Sequence, residues 1–459
     1  MPAPTNVSST STTIAPLPPT PSPEGSLSLI GHNPLYGRGM NAGLAVRGDY
    51  AYVGSRTDGS EGHPHPGVLV VDIHDPEGPQ IVAEIGPPDE GNPQETSREL
   101  RIWPEQDLLL VLNFGCTPLD HDCVPGFVSP TIRFYDIAGQ LAGRPLLIST
   151  YEPSRPPHEF YLWQDPEDEA RALLFMSTPG HRGETVLVTD ISRAREGTFD
   201  EVASWGADVP GPGPGDNLHS LSVAPGGDLA YLAHLTRGFL MVDTSEVARG
   251  DPNPELRLAT PIENRLEWEG WGAHSAVPIP GRSLVLTTDE VYGSNRPRGG
   301  CPWGWARIID VAEPESPSVL SEYRVLPYND PATCDEIPED RDRHASFSAH
   351  NPTVTEHLAF VTWHSAGLQA FSTEDPAQPV QVAEYLPDPL ETVATEDPAL
   401  SSGPDRVVMW SYPVIQDGLI WVVDVRNGLY ALQYHGPFED ELHSIGFLEG
   451  NSNLGDGDA

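Results

Sequence analysis

The stretch GVLVVDIHDPEGPQIVAEIG, residues 67–86, joins an apolar strand, an acidic residue, a Pro/Gly-rich turn and a second apolar strand. The same phrase returns as TIRFYDIAGQLAGRPLLISTYE from Thr131, TVLVTDISRAREGTFDEVASW from Thr185 and GFLMVDTSEVARGDPNPELRLATPI from Gly238. It returns again as WARIIDVAEPESPSVLSEYRV from Trp305, GLQAFSTEDPAQPVQVAEYLP from Gly367 and GLYALQYHGPFEDELHSIGFL from Gly428. Two further strand-like runs precede each copy, as in HSLSVAPGGDLAYLAH from His219 and HNPTVTEHLAFVTWH from His350. Seven units of four short strands, with no amphipathic helix between them, predict an all-β chain. The expected fold is a single seven-bladed β-propeller of four-stranded antiparallel blades over residues 26–450. A parallel β-helix would need shorter, more uniform repeats. The run SLSLIGHNPL from Ser26 reads as a spare fourth strand that pairs near blade seven and closes the ring.

Outside the repeats, residues 1–25 are a Ser/Thr/Pro-rich tether without signal-peptide character, and residues 451–459 are an acidic tail. Within the units, Asp72, Asp136, Asp190, Asp243 and Asp310 end third strands. A carboxylate there is expected to cap the following turn by accepting its backbone N–H groups.

The 459 residues carry 25 basic and 67 acidic side chains, a net charge of −42, and the chain contains no lysine. That charge repels nucleic-acid backbones and anionic membrane surfaces, so no nucleic-acid partner is expected. It fits a high-salt or high-GC source, where dense carboxylates keep a surface hydrated. No apolar run approaches the roughly 18 residues of a spanning helix. The four cysteines lie in loops without metal-ligand spacing, and Cys116–Cys123 and Cys301–Cys334 read as two disulfides. Together with the tether, they predict an exported chain, secreted or held at the cell surface, and a monomer.

In a propeller the start of each innermost strand and the end of the second strand meet at one mouth of the channel. His158, His219, His274 and His350 fall at that start in blades three to six. His234, Asp289 and His364 fall at the second-strand ends, 15, 15 and 14 residues after their partners. Arg98 and Asn113 hold the matching places in blade two, and Asn41 and Trp410 those in blades one and seven. Imidazoles from separate rigid strands suit a transition-metal ion, iron or copper first and zinc or manganese as alternatives. The expected ligands are His158, His219, His274 and His350, with His234, His364 and Asp289 orienting the rings or serving as alternative ligands. Arg98 has no lone pair to give, so it is expected to hold an anionic group of a small-molecule substrate. The loop histidines His63 and His65 read as surface residues rather than ligands.

The VVDIHDP-type phrases and the AYVG and AYLA strands resemble LVIVD-repeat propeller proteins, over about Gly31 to Gly450. More remotely, AYLAHLTRGFLMVDTSE and AFVTWHSAGLQAFSTEDP are similar to units of selenium-binding proteins, whose members include a copper-dependent methanethiol oxidase. These resemblances imply a propeller, often exported, and an oxidative metalloenzyme. Two other functions fit the same pattern. One is a non-catalytic cell-surface binding propeller. The other is a metal-dependent hydrolase with Asp289 or Glu159 as base. No GxSxG, HExxH or phosphate loop is present, which leaves serine hydrolase, zincin and nucleotide chemistry without support.

Overall fold

A computed structural model describes residues 23–87, 94–115, 128–179, 185–206, 218–235, 238–268, 273–292, 302–326, 328–330, 334 and 344–450. Cys116, Cys123 and Cys301 lie outside these residues, as do the segments 1–22 and 451–459. Seven antiparallel blades form, each counted outward from the axis. Blade four, for example, runs Leu218–Val223, Leu229–His234, Gly238–Asp243 and Arg257–Leu258. Blades one and two merge into one sheet through a single pairing of Ser55 with Ser97.

The middle strands explain why the blades stack. Leu108–Gly115 of blade two begins LLLVL, and Leu108, Leu109, Leu110, Val111 and Leu112 are all buried. A strand covered by neighbouring blades on both faces needs a continuous apolar run rather than alternation. Each such side chain contributes about 1.5–3 kcal/mol when fully buried. The outermost strands have one free edge and expose Leu146, Leu147 and Val380.

All five third-strand aspartates cap their turns. The Oδ1 atoms of Asp72, Asp136, Asp190, Asp243 and Asp310 each accept from the backbone N–H two residues on, at 2.8–3.0 Å. These carboxylates are therefore fixed turn elements of the repeat.

Ring closure has two parts. Ser26–Asn33 pairs with Gly428–His435 as the outermost strand of blade seven, so the chain's first strand completes its last blade. The second part was not expected. Phe447–Glu449 pairs antiparallel with Val414–Gln416, the innermost strand of blade seven, on its axial edge. The strand rises inside the channel, with Phe447 opposite Gln416 and Glu449 opposite Val414. Glu449 Oε2 accepts from the Ile102 N–H of blade two at 3.5 Å. A Cβ on Gly450 would stand 2.1 Å from Thr353 Oγ1 of blade six and 3.0 Å from Tyr412. Residues 447–450 thus touch the inner strands of blades two, six and seven, and only glycine fits at position 450.

Candidate metal centre

The ring positions share a backbone device. His158, His274 and His350 each precede an innermost strand, and their N–H groups donate to Ser177 O, Thr288 O and Thr362 O at 2.7–2.8 Å. His219 and Arg98 sit instead in β-bulges. Register steps from Leu218–His234 to Ser220–Ala233, and from Ser97–Asn113 to Glu99–Leu112, skipping one residue each time. An extra residue in one strand re-aims its side chain, here toward the axis.

The four histidines stand in sequence around the channel. Ring centroids are 4.3 Å apart for His158–His219, 3.8 Å for His219–His274 and 4.5 Å for His274–His350. His364 continues the arc, 4.9 Å from His350. His158 Nε2 and His219 Nε2 are 2.8 Å apart. Trp410 closes the arc by stacking on His364 and packing on His350, and Arg56 lies 4.1 Å above its ring.

The carboxylate at the centre is Glu290. Its Oε2 lies 3.1 Å from His274 Nε2, while its Oε1 lies 3.2 Å from His350 Nε2 and 3.1 Å from His364 Nε2. Asp289, expected to orient a ring, is turned away and accepts from Arg307 and from Trp268 Nε1. Successive residues of an extended chain point to opposite sides, so only one of the adjacent acids can face the axis. His364, expected as an outer partner, is in direct contact with Glu290. Its backbone holds a left-handed φ of 38°, uncommon for a non-glycine residue and a frequent mark of functional positions. His234 is fully buried and, among the described residues, joins none of the metal-competent groups. His65 Nδ1 is engaged by Glu84 at 2.9 Å, and His63 Nδ1 by Thr57 Oγ1 at 2.8 Å.

Among the described residues, three sets of side chains could each hold an ion: His158, Glu159 and His219; His219, His274 and Glu290; and Glu290, His350 and His364. Burial pulls His158 down to about 3, with help from the Arg98 charge. Burial likewise holds His219 and His350 well below the ordinary imidazole value and lowers His364. These rings are neutral at pH 7 and keep lone pairs for ligation. Burial also lowers His274, but the Glu290, Glu159 and Glu99 carboxylates outweigh it and leave His274 raised. Glu290 is raised by burial and pulled further the other way by His350 and His274, so it stays ionised. The ring tautomers are partly fixed from outside. His350 Nδ1 donates to Trp410 O at 2.7 Å, and His274 Nδ1 is 2.9 Å from Ser275 Oγ.

Arg98 occupies its blade-two position beside the arc, half-buried, its guanidinium pulled down to about 10 by burial and by Arg56. Below the ring lies a second polar layer. There Glu99, Glu159 and Glu449 accompany Arg101, which is 3.4 Å from Glu99 and 5.1 Å above the Tyr412 ring.

No family model matches the sequence, and no curated protein matches it. Solved structures do. The periplasmic gluconolactonase of Pseudomonas aeruginosa is 15% identical, with 84% of this chain and 96% of that chain covered at a TM-score of 0.50. Sqt1 of Chaetomium thermophilum is 13% identical, with 87% and 86% covered at a TM-score of 0.48. The chain has a β-propeller fold. At these identities the likeness extends to the fold alone, and the LVIVD-repeat resemblance has no matching family model beside it. Among the described residues, no helix is long and apolar enough to cross a membrane.

Proposed function

We propose that this propeller is a metal-dependent oxidoreductase acting on a small anionic substrate, its ion held among His158, His219, His274, His350 and Glu290. One observation carries the reading. His350 must keep its Nδ1 proton to donate to Trp410 O, and burial disfavours a second proton on the ring, so its Nε2 lone pair faces Glu290 Oε1 at 3.2 Å. Two lone pairs at that distance, away from water, repel unless a cation stands between them. The donor set fits that cation. Two histidines and one carboxylate, the make-up of all three sets, are the ligand composition of non-haem iron sites, and imidazole also suits copper.

When bound, such an ion would supply one-electron chemistry. The chain's own residues do the rest. Trp410 O and Ser275 Oγ fix the His350 and His274 rings. Arg98 would hold the substrate's anionic group at the rim, beside His158. Glu159, raised to about 7 by burial and by Glu99, is 3.6 Å from His219 Nδ1 and is placed to hold or release a proton near neutrality. The resemblance to selenium-binding propellers agrees with oxidation but carries less weight than the donor set.

The test is elemental analysis of the purified chain, followed by its visible and electron paramagnetic resonance spectra. Bound iron or copper is expected, and Arg98→Ala should keep the metal while weakening binding of small carboxylates. A metal-free protein would overturn the reading in favour of a binding propeller. Zinc alone, with hydrolytic turnover, would favour the hydrolase.

We also propose export, supported by the state of the cysteines. Cys334 is buried and disulfide-bonded, and its partner lies outside the described residues. The pairs proposed remain Cys301–Cys334 and Cys116–Cys123. Thiol titration of the unfolded, unreduced chain should find no free thiol; two per chain would remove one bond, and four would remove the export reading with it.

A further inference from the structure

The geometry points to two metal ions in this site rather than one, bridged by Glu290. This rests on the metal-centre reading above and deepens it. Glu290 presents a different oxygen to each flank: Oε2 faces His274, and Oε1 faces His350 and His364. The two flanks are separate sets, His219 and His274 on one side and His350 and His364 on the other, with Glu290 common to both. A carboxylate that gives one oxygen to each of two ions is the bridge of a two-metal site, where ions stand about 3.5–4 Å apart.

The second flank looks built for an ion. His364 is fully buried, and among the described residues neither ring nitrogen makes an aligned hydrogen bond, although Nε2 stands within bonding distance of Glu290. Glu290 Oε1 is likewise buried, 3.1 Å from His364 Nε2, and among the described residues accepts no aligned hydrogen bond. Close approach without hydrogen-bond alignment is what ligands of a common ion show, each lone pair aimed at the ion and not at its neighbour. Leaving such buried groups unpaired is otherwise unfavourable. The left-handed φ of His364 adds backbone strain at the same position. A single ion between His350 and Glu290 Oε1 would fill this flank alone and leave the separate His219, His274 and Glu290 set without one.

The full chain, stripped with a chelator and desalted, would be titrated with Mn(II) or anaerobic Fe(II), and bound metal counted by elemental analysis. Two equivalents per chain are expected, with a spin-coupled Mn(II) resonance spectrum at saturation. His364→Ala should hold one equivalent and show an uncoupled spectrum. One equivalent in the unaltered chain would overturn the two-ion inference and leave the single-ion function standing; no bound metal would overturn both. If His364→Ala fails to fold, the stoichiometry and coupling of the unaltered chain decide alone. A His364→Ala protein that folds and still holds two ions would remove His364 from the site.

Discussion

Glu290→Gln is expected to lose metal affinity by at least about a hundredfold, more than any single histidine variant of the ring. Changes to groups that merely support ligands already cost about 10–100-fold, and Glu290 touches three of the imidazoles directly. It supplies the negative charge among rings that burial keeps mostly neutral. Glutamine keeps the volume but removes that charge. Its amide N–H would also donate to a ring nitrogen and occupy a lone pair the ion needs. The pH profile should change as well. In the unaltered chain His274 is raised, so binding displaces about one proton there and affinity rises with pH until His274 has titrated. His158, His219 and His350 are lowered and contribute no slope near neutrality. Without Glu290 the largest pull on His274 is gone, and the sloping region should move to lower pH. Isothermal titration with Mn(II) between pH 5.5 and 8.5 would measure both effects. A variant with unaltered affinity would place the ion away from Glu290.

Much of this site could be read from the repeat. Equivalent positions in successive blades meet at one mouth, so aligning the repeat units is enough to bring four histidines together, and spacings of 14 and 15 residues set the second-strand ends beside them. Glu290 escaped for a local reason. The second strand of blade five ends at Thr288, and strand alternation, not residue type, decides which of Asp289 and Glu290 faces inward. The adjacent acidic pair was visible, but its phase was not. His364 falls at the expected strand end, but nothing in HSAG announces a left-handed histidine in direct contact with Glu290. The channel strand was obscured by a double claim. Both SLSLIGHN and the run ending in GFLE fit the fourth strand of blade seven, and only one can have it. The N-terminal run is eight residues long and takes the outer edge. The three-residue Phe447–Glu449 is left with the axial edge, which no repeat pattern advertises.

That axial strand yields the second large effect. Glu449 is fully buried in the channel, where burial raises its carboxyl to about 8, with Arg101 and the Ile102 N–H pulling the other way and Glu99 adding to the rise. Among the described residues, its Oε1 has no hydrogen-bond partner. A carboxyl whose folded value exceeds its unfolded value binds its proton more tightly in the native state. Its contribution to stability is therefore fully present below the ordinary carboxylate range and is lost as pH rises toward about 8. Glutamine is neutral throughout and can still accept from Ile102. Glu449→Gln should match the unaltered chain in melting temperature near pH 4.5 and exceed it by about 3 °C or more near pH 8. Comparing the two proteins at each pH cancels the titration of every other group. A difference that stays constant across the range would mean that Glu449 is ionised in the channel, paired with Arg101. The polar layer under the metal ring would then be an ion-pair network instead of a neutral plug.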